Sequence, residues 1–340
     1  MVDKIRFFKE QFGQLSFKHW NLVFHRPAKT SRNTMFDHRV CYVFLRNDGG
    51  QVVAKGEIAP IIGLSAESWS KIEDAIHDWM NGAFSHAAHW PSSVHAAIDM
   101  LWQDLFPKPL PAHCLINGLV WMNDIDAMYK EALEKHQQGF NCIKLKVGAL
   151  NFDDELGLIK ALRNQLGSDV TLRLDANGAW TPNEAMTKIE ALSKWNIHSI
   201  EQPIATRQWQ AMRGLCKSSP IPIALDEELI GIPSLEMQDV LSEIEPQYLV
   251  IKPSLHGGFD KSSLWIQAAE QRGIKWWATS ALESNVGLSH IYRWLGQFNN
   301  PLPQGLGTGH LYTNNWESPL ELRGEFMNWN NLSNWKEPWS

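Results

Sequence analysis

From about residue 112 this chain repeats a single unit: a short apolar run ending in polar residues, then a stretch of helical periodicity. The strand candidates are "HCLINGLVW", "CIKLKVG", "TLRLDANG", "SIEQPI", "PIALDEEL", "YLVIKPS", "IKWWATSALE" and the shorter "PQGLGTG". Helical segments such as "DDELGLIKALRNQLG" and "PNEAMTKIEALSKW" lie between them, the latter opened by a Thr-Pro start signal. Strands that alternate with helices this regularly predict an α/β fold in which a parallel sheet closes as a TIM-type (β/α) barrel over residues 111–310. The competing open, doubly wound sheet lacks its Gly-x-Gly-x-x-Gly turn here.

Residues 1–110 carry a different pattern. "RVCYVFLRNDGGQVVAKGEIAP" reads as a hairpin with an Asp-Gly-Gly turn, and helical periodicity follows around 67–82 and 91–105. This predicts an N-terminal α+β capping domain, divided from the barrel by the proline-rich "FPKPLPAH". The tail, 311–340, has no repeat left to join and is expected to return to the first domain.

Composition narrows the function. Net charge is −6 and no basic block occurs, so neither nucleic acid nor a membrane surface is an expected partner. No apolar run approaches the ~20 residues of a membrane span. The amphipathic "MVDKIRFFKEQF" does not resemble a signal peptide, and the expected location is cytoplasmic. Cys41, Cys114, Cys142 and Cys216 lie far apart and read as buried thiols. The 17 tryptophans are spread evenly, which argues for packing between domains over a ligand cage. No oligomeric state is specified.

The strand "NCIKLKVGAL" poses a problem, because Lys144 and Lys146 share the face opposite Ile143, Leu145 and Val147. Something must make two enclosed ammonium groups tolerable. The polar residues near successive strand ends are Lys146, Asp175, Glu201, Asp226, Lys252 and Ser280, separated by 29, 26, 25, 26 and 28 residues. One βα unit apart, they would converge at the C-terminal mouth of a barrel. Three carboxylates on consecutive strands repel unless a cation stands among them, and hard oxygen donors suit Mg²⁺, with Mn²⁺ a possible substitute. The blander alternative is a salt-bridge network with nearby lysines. Lys146 and Lys252 flank the carboxylates from opposite sides, and a lysine near a dication and a second lysine has a lowered pKa that suits a base. Arg173 and Asn177 share the face of Asp175, and Glu227 is an alternative ligand to its neighbour Asp226.

The order "KLK", "DANGAW", "EQPI", "LDE", "IKPS" resembles the enolase superfamily, in its muconate-lactonizing-type subgroup. "ATSALESNVGLSHI" followed by "GLGTGHLYTNN" is most similar to the o-succinylbenzoate synthase family. That resemblance implies Mg²⁺-dependent dehydration of 2-succinyl-6-hydroxy-2,4-cyclohexadiene-1-carboxylate, a small carboxylate substrate of menaquinone synthesis. Lys146 would abstract the proton α to the ring carboxylate and return it to the departing hydroxyl. Asp175, Glu201 and Asp226 would hold the metal that stabilises the enediolate. Lys252 would stay cationic and stabilise charge, Lys144 would orient Lys146, and Arg173 and Asn177 would order the metal's surroundings. Ser280 and Ser284 would hold the succinyl carboxylate. "RPAKTSRNTMFDHR" resembles the family's mobile loop, with Arg32 and Thr34 as gate residues or, in the blander reading, part of an exposed basic loop, and Glu283 would either pair with a lysine or touch substrate. No histidine falls at a strand end except His310, beyond the last one, which disfavours a histidine-based racemase. The rivals are an N-succinylamino acid racemase or dipeptide epimerase on the same scaffold, though "GLGTG" lacks the acidic pair of the latter, and a non-catalytic binding barrel.

Overall fold

The computed structural model describes residues 1–12, 14–29 and 34–339. Its N-terminal unit is an antiparallel sheet of β1 (Gln14–Lys29), β2 (Thr34–Arg46) and β3 (Val52–Ile58), in that order. The helices α1 (Val2–Gln11), α2 (Trp69–Asn81) and α3 (Ser92–Leu105) cover one face. Strand alternation explains why β2 is buried on both sides. Its Cys41, Val43 and Leu45 pack among Ile5, Phe8, Ile72 and Ile98 of the helices. Val40, Tyr42 and Phe44 face the other way, toward Leu282, Tyr312 and Trp316.

The second unit runs β4 (Cys114–Leu115), β5 (Gly118–Val120), β6 (Cys142–Lys146), β7 (Thr171–Asp175), β8 (Ile197–Glu201), β9 (Ile223–Leu225), β10 (Tyr248–Ile251) and β11 (Lys275–Ala278). Between and after these strands lie α4 (Ile125–Gln137), α5 (Phe152–Leu166), α6 (Pro182–Leu192), α7 (Trp209–Ser218), α8 (Met237–Ile244), the short α9 (Pro253–His256), α10 (Gly258–Glu270) and α11 (Asn285–Leu295). The Thr-Pro signal is a capping box: Thr181 Oγ1 accepts from Glu184 N, and the Glu184 carboxylate accepts from Thr181 N at 3.0 Å.

Strands β5 to β11 pair in parallel, in chain order. The eighth position is filled by a stretch too short to count as a strand. Gln304 bridges to Ile116 and Gly305 to Thr279. The Gly305 amide donates to Ala278 O at 2.7 Å, and the Asn117 amide donates to Gln304 O at 2.9 Å. These contacts join β11 to the segment leading into β5, and the cylinder closes. The chain comes so near here that a Cβ on Gly305 would lie 2.3 Å from Thr279 Oγ1. The first candidate run, "HCLINGLVW", divides: only Gly118–Val120 enters the barrel sheet, while β4 pairs outside it.

That outside partner is the tail hairpin of β12 (Leu320–Arg323) and β13 (Phe326–Trp329), where Met327 sits opposite Cys114. The tail also reaches the N-terminal sheet: Tyr312 bridges to Phe24, and Trp316 and Trp339 pack against Tyr42 and Phe44. Among the described residues, no helix is long and apolar enough to cross a membrane.

Strand alternation also sorts the barrel. Ile143, Leu145, Leu172, Leu174, Ile200, Leu225, Leu249 and Ile251 point outward into the core shared with the helices. Their neighbours point into the cylinder, where Ala224, Val250 and Trp277 form a small apolar plug. The charged residues share that inward face, above the plug.

Candidate active site

Register brings the inward residues side by side. Lys146 is opposite Asp175, Asp175 opposite Glu201, and Lys144 opposite Arg173. Asp226 follows β9 immediately, and Lys252 follows β10. The row across the mouth is therefore Lys146, Asp175, Glu201, Asp226, Lys252, with a lysine at each end.

The interior contacts are close. Lys144 Nζ donates to Glu201 Oε1 at 2.6 Å and Oε2 at 2.7 Å, and lies 2.9 Å from Asp175 Oδ2. Lys146 Nζ donates to Asn177 Oδ1 at 2.7 Å and to Asp175 Oδ2 at 3.3 Å. Lys252 Nζ pairs with Asp226 Oδ2. Asn177, held at φ +44, donates its amide to Glu227 Oε1 at 3.0 Å and so links Lys146 to the Asp226 loop. Among the described residues, no three acidic, histidine or cysteine side chains converge as a ready-formed metal cage. The cations standing between the carboxylates are the lysines, as in the salt-bridge alternative.

Electrostatics follow from this packing. Burial alone would raise Asp175, but Lys144, Lys146 and Lys252 outweigh it and hold its carboxyl well below the usual range. Burial works against Lys144 and Lys252, yet the surrounding carboxylates keep both above the ordinary lysine value. The lowering expected for a strand-end lysine is thus reversed at Lys252, because its neighbours are Asp226, Glu227 and Glu201. Burial and then the nearby Asp175 push Glu201 well upward. Glu201 also lies within hydrogen-bonding reach of Asp226. Two facing carboxyls need a proton or a cation between them.

The row opens into a cleft walled by both units. Lys146, Lys252, Asn177 and Glu227 form its floor, and Trp121, Trp277, Gly305 and Thr308 its barrel side. Met35 and the 61–64 loop supply the cap side, and Ser280, Ala281 and Leu282 a further wall. Period and alternation do not point to Met35, Trp121 or the 61–64 loop, since none is a polar strand-end residue.

Several expected contacts fall elsewhere. Ser284 does not line the cleft: it is fully buried, donates Oγ to Glu57 Oε2 at 2.6 Å, and caps α11. Ser280 does line it, but its hydroxyl proton is committed to Glu283 Oε2 at 2.6 Å. Among the described residues Glu283 pairs with no lysine; hydroxyls of Ser254 and Ser280 and the Ala281 amide satisfy it. Arg173 lies a layer deeper, stacked 4.0 Å from the Trp277 ring and donating to Pro303 O at 2.7 Å, away from the carboxylate row. Thr34 is exposed and outside the cleft lining, while Met35 beside it lines the wall. Arg32 falls outside the described residues. Strand-end spacing does not point to Gln202, yet its Oε1 accepts from the amides of Asp226 and Glu228, each at 3.2 Å. Its place directly after Glu201 was the available signal.

Residues 127–325 match the family model described as Enolase C-terminal domain-like. An o-succinylbenzoate synthase of Desulfotalea psychrophila is 35% identical, over 92% of this chain and 98% of that protein. The chain belongs to the enolase superfamily. It is an enzyme of that superfamily, and the barrel with its N-terminal cap is the superfamily architecture. The crystal structure of MenC from Desulfotalea psychrophila superposes with a TM-score of 0.78 at 32% identity, covering 93% of this chain and 99% of that one. The L-Ala-D/L-Glu epimerase of Bacillus subtilis superposes with a TM-score of 0.84 at 22% identity, over 96% and 97% of the two chains, and so shares the fold.

Proposed function

We propose that this enolase-superfamily chain is an o-succinylbenzoate synthase, dehydrating 2-succinyl-6-hydroxy-2,4-cyclohexadiene-1-carboxylate for menaquinone synthesis. One observation carries the reading: Lys146 and Lys252 face a single cleft from opposite ends of a row of buried carboxylates. The 35% identical synthase, matched almost end to end, supports it.

The carboxylates fit a divalent cation. Among the described residues no donor reaches the buried Asp226 Oδ1, and Glu201 stands within reach of the same carboxyl. A donor set of three carboxylates on adjacent strands is hard and anionic, which suits Mg²⁺ or Mn²⁺. Asp175, Glu201 and Asp226 would hold the ion, with Lys252 releasing Asp226 and Lys144 releasing Glu201 and Asp175. When bound, it supplies positive charge to the substrate carboxylate, where charge builds as the α-proton leaves.

The protein's own groups do the rest. Lys146, steadied by Asn177 and Asp175, takes the α-proton and hands it to the hydroxyl leaving from the same face. Lys252 keeps its proton and faces the growing negative charge. The apolar walls of Met35, Ile61, Ile62, Leu64 and Leu282 exclude water. A racemase would use the same lysine pair on opposite faces of an α-carbon, so the test must separate the two.

Following dehydration spectrophotometrically, with Mg²⁺ and after EDTA, is that test. Turnover should vanish with EDTA and return with metal. Lys146→Ala and Lys252→Ala should each lose at least about 10²–10⁴-fold in kcat while remaining folded. An active Lys146→Ala enzyme removes the base. Deuterium entering N-succinylamino acids without dehydration would assign the racemase reaction instead.

A further inference from the structure

Glu57, near the end of β3, is fully buried and has no part in the chemistry above. Among the described residues, no cationic side chain pairs with it. Its partners lie 227 and 230 residues away, at the start of α11. Oε1 accepts from the Ser284 amide at 2.8 Å, and Oε2 accepts from Ser284 Oγ at 2.6 Å and the Gly287 amide at 2.8 Å. A Cβ on Gly287 would stand 3.0 Å from Glu57 Oε2 and 2.7 Å from Glu283 Cβ, so a residue without a side chain permits the approach. A buried carboxylate is costly, and an apolar pair would hold two surfaces together as well. What a carboxylate adds is direction: three donors fix where the helix begins.

The turn that α11 follows is held elsewhere too. Leu282 sits at φ +66, and its carbonyl accepts from Tyr312 Oη at 2.7 Å. That carbonyl is 3.0 Å from His38 Nδ1, and His38 Nε2 is 3.0 Å from Pro60 O. Pro60 immediately precedes the 61–64 loop. Ser280, Ala281 and Leu282 form one wall of the cleft, and residues 61–64 form another. Glu57 lies three residues before Pro60 and grips the far end of the opposing turn.

We propose that Glu57 is a positioning residue that fixes the turn between β11 and α11 against the 61–64 loop, and so sets how tightly the substrate is held. This rests on the proposed dehydration for its kinetic reading. Glu57 touches neither the cleft nor the lysines, so proton transfer should be spared.

The test is Glu57→Gln, which keeps the shape but turns an NH₂ group toward donors. KM should rise about tenfold, as expected when a charge-assisted contact is lost. The value of kcat should stay within about threefold. Glu57→Asp, charged but one methylene shorter, should fall between wild type and Glu57→Gln. In hydrogen exchange, Glu57→Gln should deprotect residues 280–287 and 61–64 together. An unchanged KM, a fall in kcat alone, or deprotection confined to 284–287 overturns the proposal. If Glu57→Gln does not fold, Glu57→Asp decides on the same KM and exchange criteria. Wild-type protein that never dehydrates the cyclohexadiene overturns the functional reading instead, and the exchange result still decides whether Glu57 couples the walls.

Discussion

Each carboxylate in this chain takes its behaviour from what faces it. Asp175, ringed by lysines, is held well below the usual carboxylate range; Glu57, with neutral donors on its oxygens and the Glu283 carboxylate nearby, is pushed above it. Burial lifts Glu57 from an ordinary 4.5 to about 7, against the pull of the Ser284 and Gly287 donors. The native state therefore holds this proton more tightly than the unfolded chain does. The stabilisation is fully present below about pH 4.5 and is lost as pH rises through about 7, a change of about 3 kcal/mol. Glu57→Gln lacks that titration. The melting-temperature gap between wild type and Glu57→Gln should shift against wild type between pH 5 and pH 8; a flat gap would mean the three donors keep Glu57 ionised throughout. Such a residue could not be recognised from the sequence. Lys146, Asp175, Glu201, Asp226 and Lys252 were legible because strand period places them on one face, unit after unit. Glu57 and Ser284 meet only because two distant segments fold together, and nothing local in "KGEIAP" or "LESNVG" records that.

At the scale of elements, alternation carried most of the information. Inward lysines between outward Ile143 and Leu145 made sense once the barrel interior proved to be polar at its mouth. Helix starts were equally readable, since Thr181 and Glu184 form their cap within four residues. The strand ladder was less so. Among the described residues only Gln304 and Gly305 make the bridges that fill the eighth position, and the first run splits because Cys114 is claimed by β13. Pairing that depends on a partner from the tail leaves no periodic signal. Closure nonetheless hinges on this two-residue contact, and Gly305→Ala tests it. The added methyl meets Thr279 Oγ1 at 2.3 Å and Cβ at 2.7 Å, so strand separation must give. Overpacking of this kind costs about 1–3 kcal/mol. The variant should melt several degrees lower and show faster amide exchange at Ser280, which donates to Gly305 O. An unchanged melting temperature would show that the eighth position is not needed to hold the cylinder shut.

Over the whole molecule, the proline-rich boundary after residue 105 suggests two bodies, but the packing joins them. β2 is buried on both faces, and the face turned from its own helices is covered by the tail. Trp316 is central there, nearly fully buried against Tyr42, Phe44, Trp335 and Trp339. The same tail gives β13 to β4, beside the closing contact of the barrel. A lesion at Trp316 should therefore be felt by both units. Truncating a buried tryptophan costs about 3–5 kcal/mol, and Trp316→Ala should lower the melting temperature while leaving one calorimetric transition. If the cap and barrel were independent bodies, the barrel would keep its wild-type transition and a second, cooler one would separate from it. Because the cleft is walled by both units, a cap that melts alone would also take activity with it at the lower temperature. A single shifted transition would mean instead that the enzyme keeps its cleft until the entire chain unfolds.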